Sequence, residues 1–250
     1  MKTSRREICR QSLGSILTFS LLEALVREDA FGSEVRPLIN RWVNDLNELG
    51  KDVKGQKVSQ ILWQQKVEEL FANVELNELL KLVDFQKLTS NIRIPDNGAK
   101  SLRFSFPEVE GIPRDIVFGK QIFAMNKDRS VVPHGHNNMA TAFLILNGQL
   151  HGRHYDRVED EKEHIIIRPT IDRSFGEGEY STVSDYKDNI HWFKATSDVA
   201  YIFNIHVLDA RPKNELPTGR VYLNPNGEQL KHGLIRAPRI GHTEAHKLFG

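Results

Sequence analysis

At Ile92-Arg-Ile-Pro-Asp-Asn-Gly98 the chain changes its hydrophobic period, and the two sides of that change must fold differently. Before it, from Val35 to about Leu88, apolar residues recur every three or four positions. Leu38, Trp42, Leu46 and Leu49 form one stripe, with Gly50 placed as a C-terminal cap. Val58, Ile61, Leu62, Val67, Leu70 and Phe71 form a second, and Leu76-Asn-Glu-Leu-Leu-Lys-Leu-Val83 a third. Helices packed on the flank of a larger body account for all three. Beyond Gly98 the texture is of short alternating runs broken by Gly, Pro, Asn and Asp. The predicted strands are Ser101–Phe106, Asp115–Met125, Thr141–Asn147, Gln149–Asp156, His164–Thr170, Tyr180–Ser184, Ile190–Ala195 and Val199–Leu208. Such a series predicts an all-β barrel or sandwich. Asn147-Gly148 has the composition of a type I′ hairpin turn. From Arg211 the pattern loosens into a tail with turns at Pro217-Thr-Gly219 and Asn224-Pro-Asn-Gly227. It ends in a helix-like stretch from Thr243 to Phe249.

Charge excludes some partners. The 34 Lys and Arg nearly cancel the 33 Asp and Glu, and no basic stripe or acidic block points to nucleic acid or a membrane surface. The single cysteine, Cys9, leaves the body of the chain without an internal disulfide, a thiolate metal ligand or a cysteine nucleophile.

The chemistry lies in the histidines. His134 and His136 stand one residue apart, and on an extended segment such a pair points to the same face. A third imidazole from another strand completes a neutral three-histidine face and leaves the far side of a metal open, as catalytic sites require. Two histidines compete for that third place, His191 in Asn189-Ile-His191 and His206 in Asn204-Ile-His206. His242 and His246, spaced i, i+4, read as a polar helix face. Gly176-Glu-Gly178 lacks the lysine of a phosphate loop and reads as a turn.

The His-x-His pair followed twelve positions later by Gly148 resembles the first cupin motif, in which a glutamate ligand stands between them. That glutamate position falls here on Thr141. Among cupins, this departure resembles the thiol dioxygenases. Downstream, Gly148-Gln-Leu-His151-Gly-Arg153-His-Tyr155-Asp156 is similar to the Gly-x-Met-His-x-Lys-x-Tyr-Asp run of the cysteamine dioxygenase and plant cysteine oxidase family. Met139 falls where that family also has Met, and Asn189-Ile-His191-Trp-Phe193-Lys-Ala195 matches its Asn-Ile-His-x-Phe-x-Ala. The likeness covers residues 130 to 208, about a third of the chain. It departs at the last strand, where Asn204 stands in place of an Asp and the Gly-Pro-Pro-Tyr loop is missing.

The resemblance implies a mainly β cupin, a double-stranded β-helix or jelly-roll barrel, with an N-terminal helical region. It implies iron(II) held by His134, His136 and His191, with a small thiol and O2 as co-substrates and a sulfinic acid as product. By the same likeness Arg153, Tyr155 and Asp156 are the expected catalytic residues, and Met139, Thr141, His151 and Asn204 the expected substrate contacts. The other reading that the residues allow is a metal-binding cupin with a non-thiol substrate or a non-catalytic ligand-binding role.

Ser4-Arg5-Arg6-Glu7-Ile8-Cys9-Arg10 resembles a twin-arginine signal, and the mildly apolar run Leu13–Leu22 is too short to span a bilayer. Export to the periplasm as a folded protein is the expectation. A cytoplasmic protein with an amphipathic N-terminal helix is the alternative, since Glu23 interrupts the run and no Ala-x-Ala site follows. No other stretch approaches membrane length. The expected layout is a signal segment over 1–32, helices over 33–90, a barrel over 91–210 and a tail over 211–250.

Overall fold

In the computed structural model, which describes residues 35–211 and 217–250, the first helix, α1 (Val35–Lys54), runs straight through Gly50. The twin-arginine segment lies outside the described residues. Gly50 is not a cap: a Cβ there would sit 2.8 Å from Val117 Cγ2, so its missing side chain lets the helix lie close on the β body. Ser59 starts α2 (Gln60–Ala72) by accepting a hydrogen bond from the Leu62 amide at 3.1 Å. Two short helices follow, α3 (Leu76–Leu82) and α4 (Phe85–Thr89). The apolar stripes meet as expected. Trp42 stacks on Phe71 at 5.6 Å, and both rings pack against Phe203 of the sheet beneath. Among the described residues no helix is long and apolar enough to cross a membrane.

Nine strands follow: β1 (Lys100–Leu102), β2 (Gly119–Asn126), β3 (Ser130–Asn137), β4 (Met139–Asn147), β5 (Leu150–Asp160), β6 (His164–Phe175), β7 (Tyr180–Val183), β8 (Ile190–Ala195) and β9 (Val199–Leu208). They form two antiparallel sheets. One runs β1-β2-β9-β4-β7, and the core of the other runs β3-β8-β5-β6. Counting β2 to β9 as strands one to eight, the sheets read 1-8-3-6 and 2-7-4-5. That interleaved order is a jelly roll, the double-stranded β-helix that cupins have.

The order also explains why Asn147-Gly148 is not a hairpin. β4 and β5 belong to different sheets, so this dipeptide is a corner at which the chain crosses between them. Gly148 adopts φ +82° while Asn147 keeps a negative φ, whereas a type I′ turn needs both positive. The tail is not loose either. β10 (Gly219–Leu223), β11 (Glu228–Gln229) and β12 (Ile235–Ile240) extend the second sheet, and α5 (His242–Phe249) follows. β10 pairs with both β3 and β12, and β12 with β6.

Three apolar clusters result. The helices cover the outer face of the first sheet. Between the sheets, Phe143, Phe175, Phe193, Ile145, Ile202 and Leu150 fill part of the interior. The tail strands cover the outer face of the second sheet over Tyr155, Ile165, Ile167, Ile190, Leu223 and Ala237. The second sheet is therefore buried on both faces along much of its length.

Candidate metal centre

The site begins with an irregularity in β3. Val131 pairs with Phe193 and His134 with His191, so three steps on β3 face two on β8. That extra residue is a β-bulge, and Pro133, which has no amide hydrogen to donate, is tolerated there. Beyond the bulge, His134 and His136 point to the same face, and the register sets His191 directly opposite His134. All three imidazoles are buried. One ring nitrogen from each lies within 4.8 Å of the others.

Neighbouring groups decide which nitrogen is free. Nδ1 of His134 donates to the Val132 carbonyl at 2.8 Å, leaving Nε2 with its lone pair. Nδ1 of His136 meets the Thr141 hydroxyl at 3.2 Å, and its Nε2 is buried without a partner. Neither ring nitrogen of His191 has a partner among the described residues. Buried imidazole nitrogens are rarely left unsatisfied unless something else binds them. Burial also pushes the pKa of His134 down to about 3, with the Arg220 charge second, and pushes His136 and His191 well below the ordinary imidazole value. The three rings are thus neutral, as metal ligation requires. The donor set fits a divalent transition metal, and no carboxylate belongs to it.

Asn189 fixes the pair of strands. Its carboxamide accepts from the His136 amide at 3.3 Å and donates to the carbonyls of His136 and Ser184 at 2.8 and 2.9 Å. Gly135 makes room for it, since a Cβ there would lie 2.7 Å from Asn189 Oδ1. Asp156 holds the same loop from the other side, accepting the Asp188 amide at 3.0 Å while pairing with Arg168.

A cavity of about 350 Å³ opens beside the three histidines. Thr141 and Asn204 line it. Asn204 is held by Gln121 at 3.1 Å and by the Ala142 carbonyl at 3.3 Å. His206, the competing third ligand, also lines the cavity but stands outside the metal-ligand group. A Cβ on Gly119 would lie 2.2 Å from its Nε2, so glycine opposite it makes its place. Met139 is buried on the same strand as Thr141 but not in the cavity wall.

The expected catalytic group is not brought to this cavity. Arg153 lies opposite Trp192, on the outer face of the sheet, where it pairs with Asp172 at 3.3 Å and stacks over that indole. His151 hydrogen-bonds to the same Asp172. Tyr155 is packed in the outer cluster, and burial raises its pKa. Arg153 and Tyr155 line a separate hollow beside Pro225-Asn-Gly227.

β5 instead turns His154 inward, directly opposite His191, with ring centroids 6.2 Å apart. Ser181 Oγ lies 3.1 Å from its Nε2. The alternation of β5 combined with the choice of His191 identifies this residue, which the motif comparison passes over. The C-terminal helix is the other omission: His242, His246 and Tyr222 all line the cavity, with Tyr222 5.9 Å from His134 and 5.2 Å from His242.

Burial pushes His154 down to about 3, so between pH 3 and 6.5 the unfolded chain binds a proton there that the folded chain does not. Stability from this group is present above pH 6.5 and is lost as pH falls, by at most about 1.4 kcal/mol per pH unit. His154→Gln is therefore expected to flatten the stability curve between pH 6.5 and 4, measured by urea unfolding. Parallel curves would show that the ring is not held neutral.

No family model matches the sequence, and no curated protein is similar to it. Among solved structures, the chain is similar to a cupin superfamily protein of Desulfitobacterium hafniense, at 16% identity and TM-score 0.33, over 49% of this chain and 88% of that one. A recombinant oxalate oxidase in complex with glycolate is 14% identical with TM-score 0.35, over 51% of this chain and 56% of its own. Procruciferin, an 11S globulin of Brassica napus, is 10% identical with TM-score 0.32 over 43% of this chain. The chain spans 23% of the length of procruciferin and 22% of that of the 11S globulin of Wrightia tinctoria. At such scores the likeness carries no argument about function, and the fold rests on the strand order. The chain is a mainly β jelly roll, in which His134, His136 and His191 form a group that can hold a metal ion.

Proposed function

We propose that this protein is an iron(II)-dependent dioxygenase that oxidises a small thiol to a sulfinic acid with O2. The observation that carries the reading is the three-imidazole group with Thr141, a non-ligand, where cupins have glutamate. Three neutral ligands leave a bound divalent ion with its full charge and with open positions. When bound, iron(II) supplies a Lewis acid that favours the thiolate and a redox centre for O2. The thiol gains both atoms of O2 at sulfur and keeps one acidic proton as RSO2H, so no other reductant is consumed.

The chain's own residues place and shield the reactants. The Val132 carbonyl sets the His134 tautomer, the Thr141 hydroxyl holds the His136 ring, Asn189 fixes the strand pair, and Phe143, whose ring centroid is 4.8 Å from that of His191, forms an apolar wall that keeps water away. Export along the twin-arginine route is proposed on Arg5-Arg6 alone.

Oxygen uptake by the iron-loaded protein tests the activity. Addition of cysteine, cysteamine, 3-mercaptopropionate or a peptide with N-terminal cysteine is expected to give one mole of sulfinic acid per mole of O2. Metal binding without uptake on any of these thiols would favour the second reading, a metal-binding cupin with a different ligand. The four thiols differ in whether they carry an amine, a carboxylate or both, so a negative result on all of them speaks to the chemistry and not to one functional group.

A further inference from the structure

The cavity beside the three histidines carries permanent charge of one sign. Among the described residues its lining includes Arg103 and Arg220 and no Asp or Glu. In the register of β10 with β3, Arg220 lies directly opposite His136, so its side chain leaves the sheet on the face that carries the metal group. Both arginines are exposed, and among the described residues neither makes an ion pair or a side-chain hydrogen bond. The position where the resembling family has an acid holds Asn204, whose carboxamide is already spent on Gln121 and Ala142. A cationic amine entering this cavity would meet two guanidiniums and, among the described residues, no carboxylate, and a bound divalent ion would add to the repulsion.

We infer that the substrate is a carboxylate-bearing molecule, its carboxylate held by Arg220 with Arg103 nearby and its reactive end directed to the His134–His136–His191 group. The guanidinium offers a planar fork of donors that matches a carboxylate. Tyr222, His242 and Phe143 also line the cavity. The inference takes the thiol from the function proposed above and adds the anionic end.

Calorimetry on the iron(II)-loaded protein without oxygen separates the two claims. The probes are 3-mercaptopropionate, 2-mercaptoethanol, cysteamine and propionate. 3-Mercaptopropionate is expected to bind about tenfold more tightly than 2-mercaptoethanol, with cysteamine weakest, and propionate to bind measurably without any thiol. Arg220→Gln is expected to remove that tenfold preference and leave 2-mercaptoethanol unchanged, while Arg220→Lys keeps part of it. Arg220 is exposed, so these variants retain the fold. Tightest binding by cysteamine, or a preference for carboxylate that survives Arg220→Gln, overturns the inference. If propionate binding depends on Arg220 but the oxygen-uptake assay described above shows no thiol oxidised, the carboxylate site stands and the thiol reading falls. Fastest oxidation of cysteamine, insensitive to Arg220, has the opposite effect.

Discussion

Replacing His191 with alanine is expected to empty the metal site, while His206→Ala leaves metal content close to wild type. Each of the three grouped imidazoles supplies one of the nitrogens that lie within 4.8 Å of one another, and His206 supplies none. Two remaining histidines bind a divalent ion weakly. Loss of a supporting neighbour of a ligand costs roughly 10–100-fold in affinity, and loss of the ligand itself costs at least the upper end of that range. The measurement is metal per chain after dialysis against a weak chelator, with circular dichroism to show that both variants are folded. Wild-type metal in His191→Ala with loss in His206→Ala would move the third ligand from β8 to β9. Such a result would remove the thiol dioxygenase likeness too, because that likeness depends on Asn189-Ile-His191.

The second large effect is on stability. Gly148→Ala is expected to destabilise the protein by about 3 kcal/mol, from a positive φ that alanine tolerates poorly and a collision with the backbone. At φ +82° the new Cβ would lie 2.3 Å from the Val199 carbonyl oxygen and 3.1 Å from Ala200 Cα. Neither atom belongs to a side chain that can rotate away. Both belong to the start of β9, which pairs with β2 on one side and β4 on the other, so yielding there disturbs the first sheet. For a chain of this size, the expected fall in Tm is roughly 6–12 °C. A fall of one or two degrees would mean that the corner between the sheets relaxes freely. Asn147→Ala, at the negative φ beside it, is the control and is expected to change Tm little.

Much of the fold is legible in the sequence, because its two hydrophobic periods are clean. The stripe of Trp42 and Leu46 meets the stripe of Val67 and Phe71 as the spacing requires, and the strands from Thr141 to Leu208 appear close to their expected limits except β5 and β6, which run on to Asp160 and Phe175. β3 is harder to see. Its pairing holds Pro133 at a bulge, and its polar histidines face a buried cavity, so the usual alternation of apolar and polar residues is absent. The tail strands are short and set among Pro, Gly and Asn turns, so five or six residues give too brief a pattern to read as strands. Local motif matching picks out the three histidines that the fold brings together but does not place Arg153 and Tyr155, because similarity along a strand does not say which face a residue occupies. Opposition across the sheet does: His154 faces His191, and Arg220 faces His136, and neither relation can be read without knowing the neighbouring strand.

β8 has no free edge, and four of its six residues are buried. It is hydrogen-bonded to β3 on one side and β5 on the other, with Phe193 packed inward and Ile190 packed against the outer cluster. The amide protons around His191 therefore exchange with solvent through the opening of both sheets, among the slowest in the chain. The spacing of the imidazoles is set by backbone pairing and not by a loop that closes around an ion. A metal that leaves this group leaves behind a vessel of the same shape, and a metal that returns pays little of the ordering entropy that a flexible site would demand.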